Sequence, residues 1–300
     1  MRTPKSALTT AFLMSATFVL LSPESGRASI FHASTSAAPA SLDGVVTDIE
    51  QALSEQRLVD AARLLDTAML AGAKDPRLTL LSGRLEMERG HYADALDDFK
   101  SAQLAPQTRA AALEGAGVVL SLLGRSDEAM TVLQQAVAQS PTAWRAWNAL
   151  GCEYDQLRDW THAEQAYDNA LKNSNQAAIV LNNRGYSRIL QHRLEDAIAD
   201  LVTALQKRPD FAEARTNLRL VLAMKGDYGR AVSPGAEDDK AALLNNAGFA
   251  AALRGDYAQA EDLLGQAIKT RSVYYDRASQ NLVMVKALAD KDKGPAHAAP

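Results

Sequence analysis

The sequence predicts an all-α protein, a right-handed superhelical solenoid of antiparallel helix pairs that ends in a capping helix. Three observations carry this prediction. Residue types recur every 34 residues, one position of the period is alanine in all seven copies, and another is glycine in five of them. A period of this length corresponds to one pair of helices, and such a pair buries its apolar face only by stacking on its neighbours.

The repeat frame begins at Leu42 and advances 34 residues at a time, with one shorter step of 29 before the last copy. The seven repeats start at Leu42, Pro76, Ala110, Trp144, Ala178, Ala212 and Ala241. Position 20 is alanine in every copy, at Ala61, Ala95, Ala129, Ala163, Ala197, Ala231 and Ala260. Position 8 is glycine in five copies, at Gly83, Gly117, Gly151, Gly185 and Gly248. Small residues let two helices approach closely, so positions 8 and 20 are expected to mark the contact inside each pair.

Residues 1–28 have the pattern of a signal peptide. Arg2 and Lys5 precede a short apolar stretch, and Gly26 and Ala28 have the spacing of a cleavage site. The apolar stretch is shorter than the roughly 20 residues that span a bilayer as a permanent helix. The pattern therefore favours export, with an uncleaved anchor or a buried helix as the alternative. No cysteine follows the stretch, so a lipobox is absent from this sequence.

The rest of the chain divides into three segments. Residues 29–41 are predicted to be a flexible lead-in, 42–290 the helical array with its cap from Tyr275, and 291–300 a disordered tail. The sixth repeat is irregular, because the Pro-Gly pair at 234–235 interrupts its second helix. Two interpretations stay open for this break: a tolerated deletion that shortens one outer helix, or a notch or hinge before the last repeat.

Composition argues against several classes of function. A net charge of -4 over 300 residues gives no positive field for nucleic acid. The single cysteine, Cys152, excludes a disulfide framework and any zinc site built on cysteines. The five histidines have no metal-ligand spacing, and no phosphate-binding loop is present. We therefore expect no catalytic residues, no metal, no cofactor and no small-molecule substrate, and a protein partner instead.

The spacing and residue types resemble the tetratricopeptide repeat. The fourth repeat carries the resemblance most completely, at Trp147, Leu150, Gly151, Tyr154, Ala163, Tyr167 and Ala170. The resemblance covers Leu42 to about Asp290. It implies a concave groove lined by the first helix of each repeat, with the groove residues at positions 2, 5, 6, 9, 12 and 13.

Asparagines and aromatic residues recur at those groove positions, and an asparagine amide can bind the main chain of an extended peptide. The set predicted to contact a partner is Asn148, Asn182, Asn183, Tyr186, Asn217, Asn245, Asn246 and Phe249. The alternative is that some of these asparagines hydrogen-bond neighbouring helices inside the stack. Arg184 and Arg188 join the set as a basic spot for a partner carboxylate, or else they lie beside Asp196 or Asp200.

The C-terminal half has a narrower resemblance, to the TadD proteins of tight-adherence (Flp) pilus assembly. The shared features are Asn182 to Tyr186, Asn217-Leu218, the shortened sixth repeat, Asn245 to Phe249, Gly255-Asp256-Tyr257, and Tyr275, Ala278, Asn281 and Leu282. The resemblance implies a periplasmic, outer-membrane-associated protein that helps the pilus secretin to localise or assemble. This chain lacks the lipobox cysteine of the common family form. A scaffold for other envelope clients, such as cell-wall enzymes, and a cytosolic secretion chaperone are the alternatives.

Overall fold

The computed structural model describes residues 41–233, 239–270 and 275–292, and all regular structure in those ranges is helical. The helices are α1 (Leu42–Ser54), α2 (Leu58–Leu70), α3 (Pro76–Glu88), α4 (Tyr92–Ala102), α5 (Arg109–Leu122), α6 (Ser126–Gln139), α7 (Trp144–Gln156), α8 (Trp160–Asn173), α9 (Ala177–Leu190), α10 (Leu194–Lys207), α11 (Ala212–Lys225), α12 (Tyr228–Ala231), α13 (Lys240–Arg254), α14 (Tyr257–Thr270) and α15 (Asp276–Asp292). The predicted all-α class is confirmed.

The described residues form two compact parts, an N-terminal part (41–183) and a C-terminal part (184–292). The N-terminal part contains the pairs α1–α2, α3–α4, α5–α6 and α7–α8, and the C-terminal part contains α11–α12 and α13–α14 followed by α15. First helices of successive repeats also touch: α1 with α3, α3 with α5, α5 with α7, and α11 with α13. Each first helix begins within one residue of a repeat start in the 34-residue frame.

The two small positions of the repeat lie at the contact inside each pair. All seven position-20 alanines are 2% exposed or less. A Cβ built on Gly117 would lie 2.5 Å from Leu133 Cδ2, and one built on Gly151 would lie 2.6 Å from the Tyr167 ring. Leu133 and Tyr167 both occupy position 24, so the position-8 glycine makes room for the large side chain of the second helix. Any larger residue there would push the two helices apart.

One or two residues after the end of every first helix lies a residue in the left-handed backbone region, always at position 15. These residues are Gln56, Gly90, Gly124, Arg158, His192, Gly226 and Gly255, with φ between 56° and 92°. In the second repeat, the amide of His91 donates to the carbonyl of Glu86 at 2.9 Å, which closes the helix in a Schellman arrangement. The chain then enters the second helix after a short turn. One backbone conformation therefore reverses the chain in all seven repeats.

The sixth repeat has a second helix of only four residues, α12. The hydroxyl of Tyr228 on α12 donates to Asp256 Oδ2 at 2.6 Å, and Arg254 Nη1 donates to the Met224 carbonyl at 2.8 Å. These bonds connect the sixth repeat to the turn of the seventh. The Pro-Gly break itself lies outside the described residues. Helix α11 contacts α13 directly, as the first helices of regular repeats contact each other.

Helix α15 packs on α13 and α14 and buries Ala278, Val285 and Ala289. It continues to Asp292, so the first two residues of the predicted disordered tail are helical. The predicted signal peptide, the lead-in except for Ser41, and the remaining tail residues lie outside the described residues. Within the described ranges, none of the helices combines the length and the apolar character that a membrane span requires.

Candidate protein-binding surface

Buried asparagines connect the first helices of neighbouring repeats. Asn183, at position 6 of the fifth repeat, donates from Nδ2 to Oδ1 of Asn148, at position 5 of the fourth, over 3.1 Å. Asn182 donates to Asn183 Oδ1 at 3.2 Å. In the C-terminal part, Asn281 on α15 donates to Oδ1 of Asn245 at 2.9 Å. An asparagine of the cap therefore contacts the first helix of the seventh repeat, as Asn183 contacts the first helix of the fourth.

The predicted partner-binding residues differ in exposure. The buried asparagines are Asn148, Asn182, Asn183, Asn217 and Asn245, all 3% exposed or less. Asn246 is exposed, while Tyr186 and Phe249 are buried at 4% and 8% exposure. The hydrogen bonds between asparagine side chains of neighbouring repeats are the kind of contact that the alternative interpretation, contact within the stack, predicts. Contact of this set with a partner stays a prediction.

Arg184 and Arg188 lie beside Asp200, one of the two carboxylates expected for them. Arg184 binds Asp200 through Nε at 2.9 Å and Nη2 at 2.8 Å, and Arg188 Nη1 lies 2.7 Å from Oδ2 of the same carboxylate. The other expected carboxylate, Asp196, pairs with Arg193. The Arg184 and Arg188 side chains are 15% and 12% exposed. Their role as a basic spot for a partner stays a prediction.

A charged surface on the N-terminal part was not found by sequence reasoning. It comprises Arg84 on α3, Glu114 on α5 and Arg145 on α7, together with Glu50 and Glu88, whose charges act on Arg84, and we call it the first-helix face. Arg145 Nη1 lies 4.0 Å from Glu114 Oε1, and its guanidinium lies 4.6 Å from the centre of the Trp144 ring. Arg84, Glu114 and Arg145 occupy repeat positions 9, 5 and 2. All three are groove positions in this type of repeat, and that is the signal that could have found them.

Burial dominates the electrostatics of the first-helix face. It raises the pKa of the Glu114 carboxyl, while Arg145, Arg84 and the backbone amide of Ala146 act in the opposite direction. Burial also lowers the pKa of the Arg84 guanidinium, and the like charge of Arg145 adds to this effect. Glu50, Glu88 and Glu114 oppose that shift. The face therefore holds partly desolvated charges of both signs.

The single cysteine lies in a buried polar group of the fourth repeat. Cys152 is 3% exposed, and burial raises the pKa of its thiol. The hydroxyl of Tyr167 donates to Asp155 Oδ2 at 2.7 Å and lies 3.5 Å from the Cys152 sulfur. A thiol with a raised pKa is a poor nucleophile at neutral pH. The arrangement is that of a packed structural residue.

One group of side chains has the composition of a metal site. The ligand atoms of Glu86, His91 and Asp94, at the turn between α3 and α4, lie within 4.8 Å of one another. Glu86 already accepts from Arg89 at 2.9 Å and lies 2.6 Å from His91 Nδ1. His91 and Asp94 are exposed, and such carboxylates are common at helix ends. We assign no metal to this group.

Packed helix pairs, a small residue at each pair contact and polar side chains on the first helices define a helical-repeat protein. Comparison with family models identifies the repeat. A model described as tetratricopeptide repeat matches residues 80–143, 148–201 and 184–237, and a second one of the same description matches 241–274. The chain belongs to the tetratricopeptide repeat family. Such repeats generally form scaffolds for protein–protein interaction rather than catalytic sites.

Solved structures show the same fold at low sequence identity. A tetratricopeptide repeat protein from Parabacteroides merdae has 17% identity and a TM-score of 0.52 over 81% of this chain and 98% of that one. The Cut9–Hcn1 hetero-tetramer of the APC/C has 14% identity and a TM-score of 0.64 over 82% of this chain and 50% of that one. A repeat protein from Thermus thermophilus has 18% identity and a TM-score of 0.52 over 60% of this chain and 98% of that one. The comparison with curated proteins gave no match.

Proposed function

We propose that this chain is a non-enzymatic periplasmic adaptor that binds a protein component of a tight-adherence (Flp) type pilus or secretion machine, such as its secretin. The observation that carries the binding role is the array of tetratricopeptide repeats, in which successive first helices touch and present polar side chains. Helices stacked in this way hold side chains from several repeats at fixed spacing, and an extended segment of a partner can bind along them.

The export and pilus parts of the proposal rest on sequence features. Arg2, Lys5 and the Gly26 to Ala28 spacing support a signal peptide, and the Asn-Asn motifs of the fifth and seventh repeats support the resemblance to TadD. An exported protein of this type acts at the periplasmic side of the outer membrane. Peripheral association with that membrane therefore forms part of the proposal.

The experiment is affinity purification of the tagged chain from its own cells, combined with fractionation and N-terminal sequencing. We expect a mature protein that begins near Ser29, is found in the periplasm, and co-purifies with a secretin-like outer-membrane protein. A variant that lacks residues 2–28 is the control, because it should stay in the cytoplasm and lose the partner. Recovery of wild-type chain with an intact Met1 from the cytoplasm would instead favour a secretion chaperone. Co-purification of cell-wall enzymes without a secretin would favour a general envelope scaffold.

A further inference from the structure

A cavity lies between the first and second repeats, at the place where α2 ends and α3 begins; we call this place the first joint. Its volume is about 410 Å³, and it is lined by the end of α2, the start of α3, and the end of α4 with the turn that follows. The lining residues Leu78 and Ala102 are buried, whereas Met69 and Leu104 are 44% and 81% exposed. Two large apolar residues from different repeats are therefore left in contact with water beside one cavity.

Position 34, the residue directly before a first helix, differs between the first joint and the joint of the fifth and sixth repeats. Before α11 it is Phe211, which is 2% exposed, and the guanidinium of Arg208 lies 3.5 Å from the centre of its ring. At the first joint it is Asp75, whose carboxylate caps α3 and binds Arg77. The first joint therefore lacks the large apolar side chain that position 34 supplies between the fifth and sixth repeats.

Helix α1 begins beside this cavity. Arg77 Nη2 lies 2.7 Å from Asp43 Oδ1, in the first turn of α1, and 2.7 Å from Oδ2 of Asp75, which lines the cavity. Ser41 caps α1 two residues before Asp43. Residues 29–40, the lead-in without Ser41, precede this cap, and a chain of that length can span about 40 Å. The cavity is thus within reach of the lead-in.

The lead-in has a composition that suits an apolar cavity. Residues 29–40 include no Asp, Glu, Lys or Arg, and their two large apolar residues, Ile30 and Phe31, are adjacent. Insertion of this pair would cover Met69 and Leu104 without burying a carboxylate, an ammonium or a guanidinium group. A short tether also keeps the pair at an effective concentration in the millimolar range, whereas a partner segment must bind from dilute solution. The same chain is therefore the favoured source of the occupant.

We propose that the cavity at the first joint is a docking site for Ile30 and Phe31 of the same chain. The Phe31 ring supplies there the apolar side chain that Phe211 supplies between the fifth and sixth repeats. Docking holds residues 29–40 against the first two repeats, so the segment is part of the folded array rather than the flexible lead-in that its composition predicts. The inference does not depend on which partner the adaptor binds.

Disulfide trapping tests the docking in the chain of residues 29–300, the mature form under the proposed function. The cysteine pair His32→Cys and Ser101→Cys places one thiol next to Phe31 and the other on the cavity wall. The matched control combines His32→Cys with Ser54→Cys, because Ser54 is also an exposed serine and lies at the opposite end of α1, about 20 Å from Ser41. In a glutathione redox buffer, the fraction of intramolecular disulfide gives the effective concentration of the two thiols in each pair.

We expect the effective concentration to be at least about tenfold higher for the Ser101 pair than for the Ser54 pair, because docking holds residue 32 at the cavity. Phe31→Ala in the Ser101 pair should lower the value by about tenfold, since most of the apolar burial is lost. This variant separates docking from mere proximity of the two thiols. The native Cys152 is buried and stays in every variant.

Equal effective concentrations for the two pairs, or an unchanged value with Phe31→Ala, would overturn the inference and leave the cavity open to a segment of a partner. Disulfide-linked dimers in place of the intramolecular product would show that the lead-in of a second copy docks there, which also overturns docking within one chain. Circular dichroism of each variant is measured alongside, and no change is expected, because residues 31 and 32 precede the helices and Ser54 and Ser101 are exposed.

Discussion

Asp75 shows how one side chain can fix the joint between two repeats. Its carboxylate accepts from the backbone amide of Arg77 at 2.8 Å and so caps α3. It also binds the Arg77 guanidinium, which reaches Asp43 on α1. The side chain of Asp75 is 13% exposed, and Arg77 holds its pKa below the ordinary 3.8. Asp75 therefore caps α3 and holds the guanidinium of Arg77, which makes the ion pair between α3 and α1 with Asp43.

Replacement of Asp75 should separate these two contributions. Asp75→Ala removes both and should cost about 1 kcal/mol or more at pH 7, whereas Asp75→Asn keeps a capping side chain and loses only the charge. Because the pKa of Asp75 is lowered in the folded state, the charge stabilises the fold above pH 3.8 and this contribution is lost as the pH falls through the lower value. Urea unfolding at pH 7 and below pH 3.8 measures it. A gap between wild type and Asp75→Asn that does not narrow in acid would contradict the assignment.

At the scale of single residues, the sequence predicts the contacts that follow from the repeat frame. It misses the contacts that depend on how neighbouring repeats stack. The burial of the alanines at position 20 followed from the repeat frame, and Asp200 was one of the two carboxylates considered as neighbours of Arg184 and Arg188. The charges around Arg84 did not, because the carboxylates that act on it lie on three different helices. Their distances from Arg84 are set by the stacking of repeats and have no signature in a single helix.

The turn at position 15 is the feature that defines the helix pair as an element. Glycine adopts a positive φ without steric cost, whereas other residues pay for contact between Cβ and the backbone. Glycine, as at Gly90, Gly124, Gly226 and Gly255, is the residue type that indicates such a turn in a sequence. The same conformation at Gln56, Arg158 and His192 could be predicted only by extending the frame, because these residue types carry no turn signal.

Arg158→Gly should therefore stabilise the protein. Arg158 is exposed and has φ 58°, so glycine relieves the backbone strain and removes no buried contact. We expect a gain of about 0.5 to 1 kcal/mol in the free energy of unfolding, after allowance for the greater freedom of glycine in the unfolded chain. Arg158→Ala is the control, since it removes the side chain and keeps the strain. Equal stability of the two variants would show that the turn is not strained.

The glycine at position 8 gives a second prediction at the scale of the element. A Cβ on Gly248 would lie 2.8 Å from Leu264 Cγ and 3.2 Å from the Ala260 carbonyl oxygen, so Gly248→Ala should destabilise by about 1 to 3 kcal/mol. Gly265 lies on α14 with nothing within 4 Å of a built Cβ. Gly265→Ala should therefore stabilise by about 0.5 to 1 kcal/mol through helix propensity. Thermal melts of both variants decide this, and the same sign for both would refute the packing described.

For the whole molecule, stability is expected to be a sum over neighbouring repeats. In the C-terminal part the apolar cluster continues without a break from Leu222 on α11 through α13 and α14 to Val285 on α15. The sequence predicted this continuity, because each helix pair leaves one apolar face for the next pair to cover. The predicted end of the capping helix was less accurate. Helix α15 continues to Asp292, because its last turns bury Ala289 and the sequence pattern contains no signal that ends the helix.

Removal of the cap tests whether stability is additive. Deletion of residues 275–300 exposes the surface covered by Ala278, Val285 and Ala289, and should cost at least about 2 kcal/mol. The seventh repeat should melt first, because it loses its neighbour on one side. Deletion of 293–300 alone is the matched control, since it leaves α15 intact, and it should not change the melting curve. A capless chain that melts like wild type would mean that α15 is not part of the cooperative unit.

The four-residue helix α12 bears on how such a chain can change in evolution. The helix α12 of the sixth repeat has only four residues, yet α11 contacts α13, Tyr228 binds Asp256, and Arg254 binds the Met224 carbonyl. Insertions and deletions in second helices thus preserve the register of the first helices, which keep lengths of 13 to 15 residues. The same event inside a first helix would shift every later recognition residue against its neighbours. Homologous lineages should therefore vary in length at second helices and conserve the first.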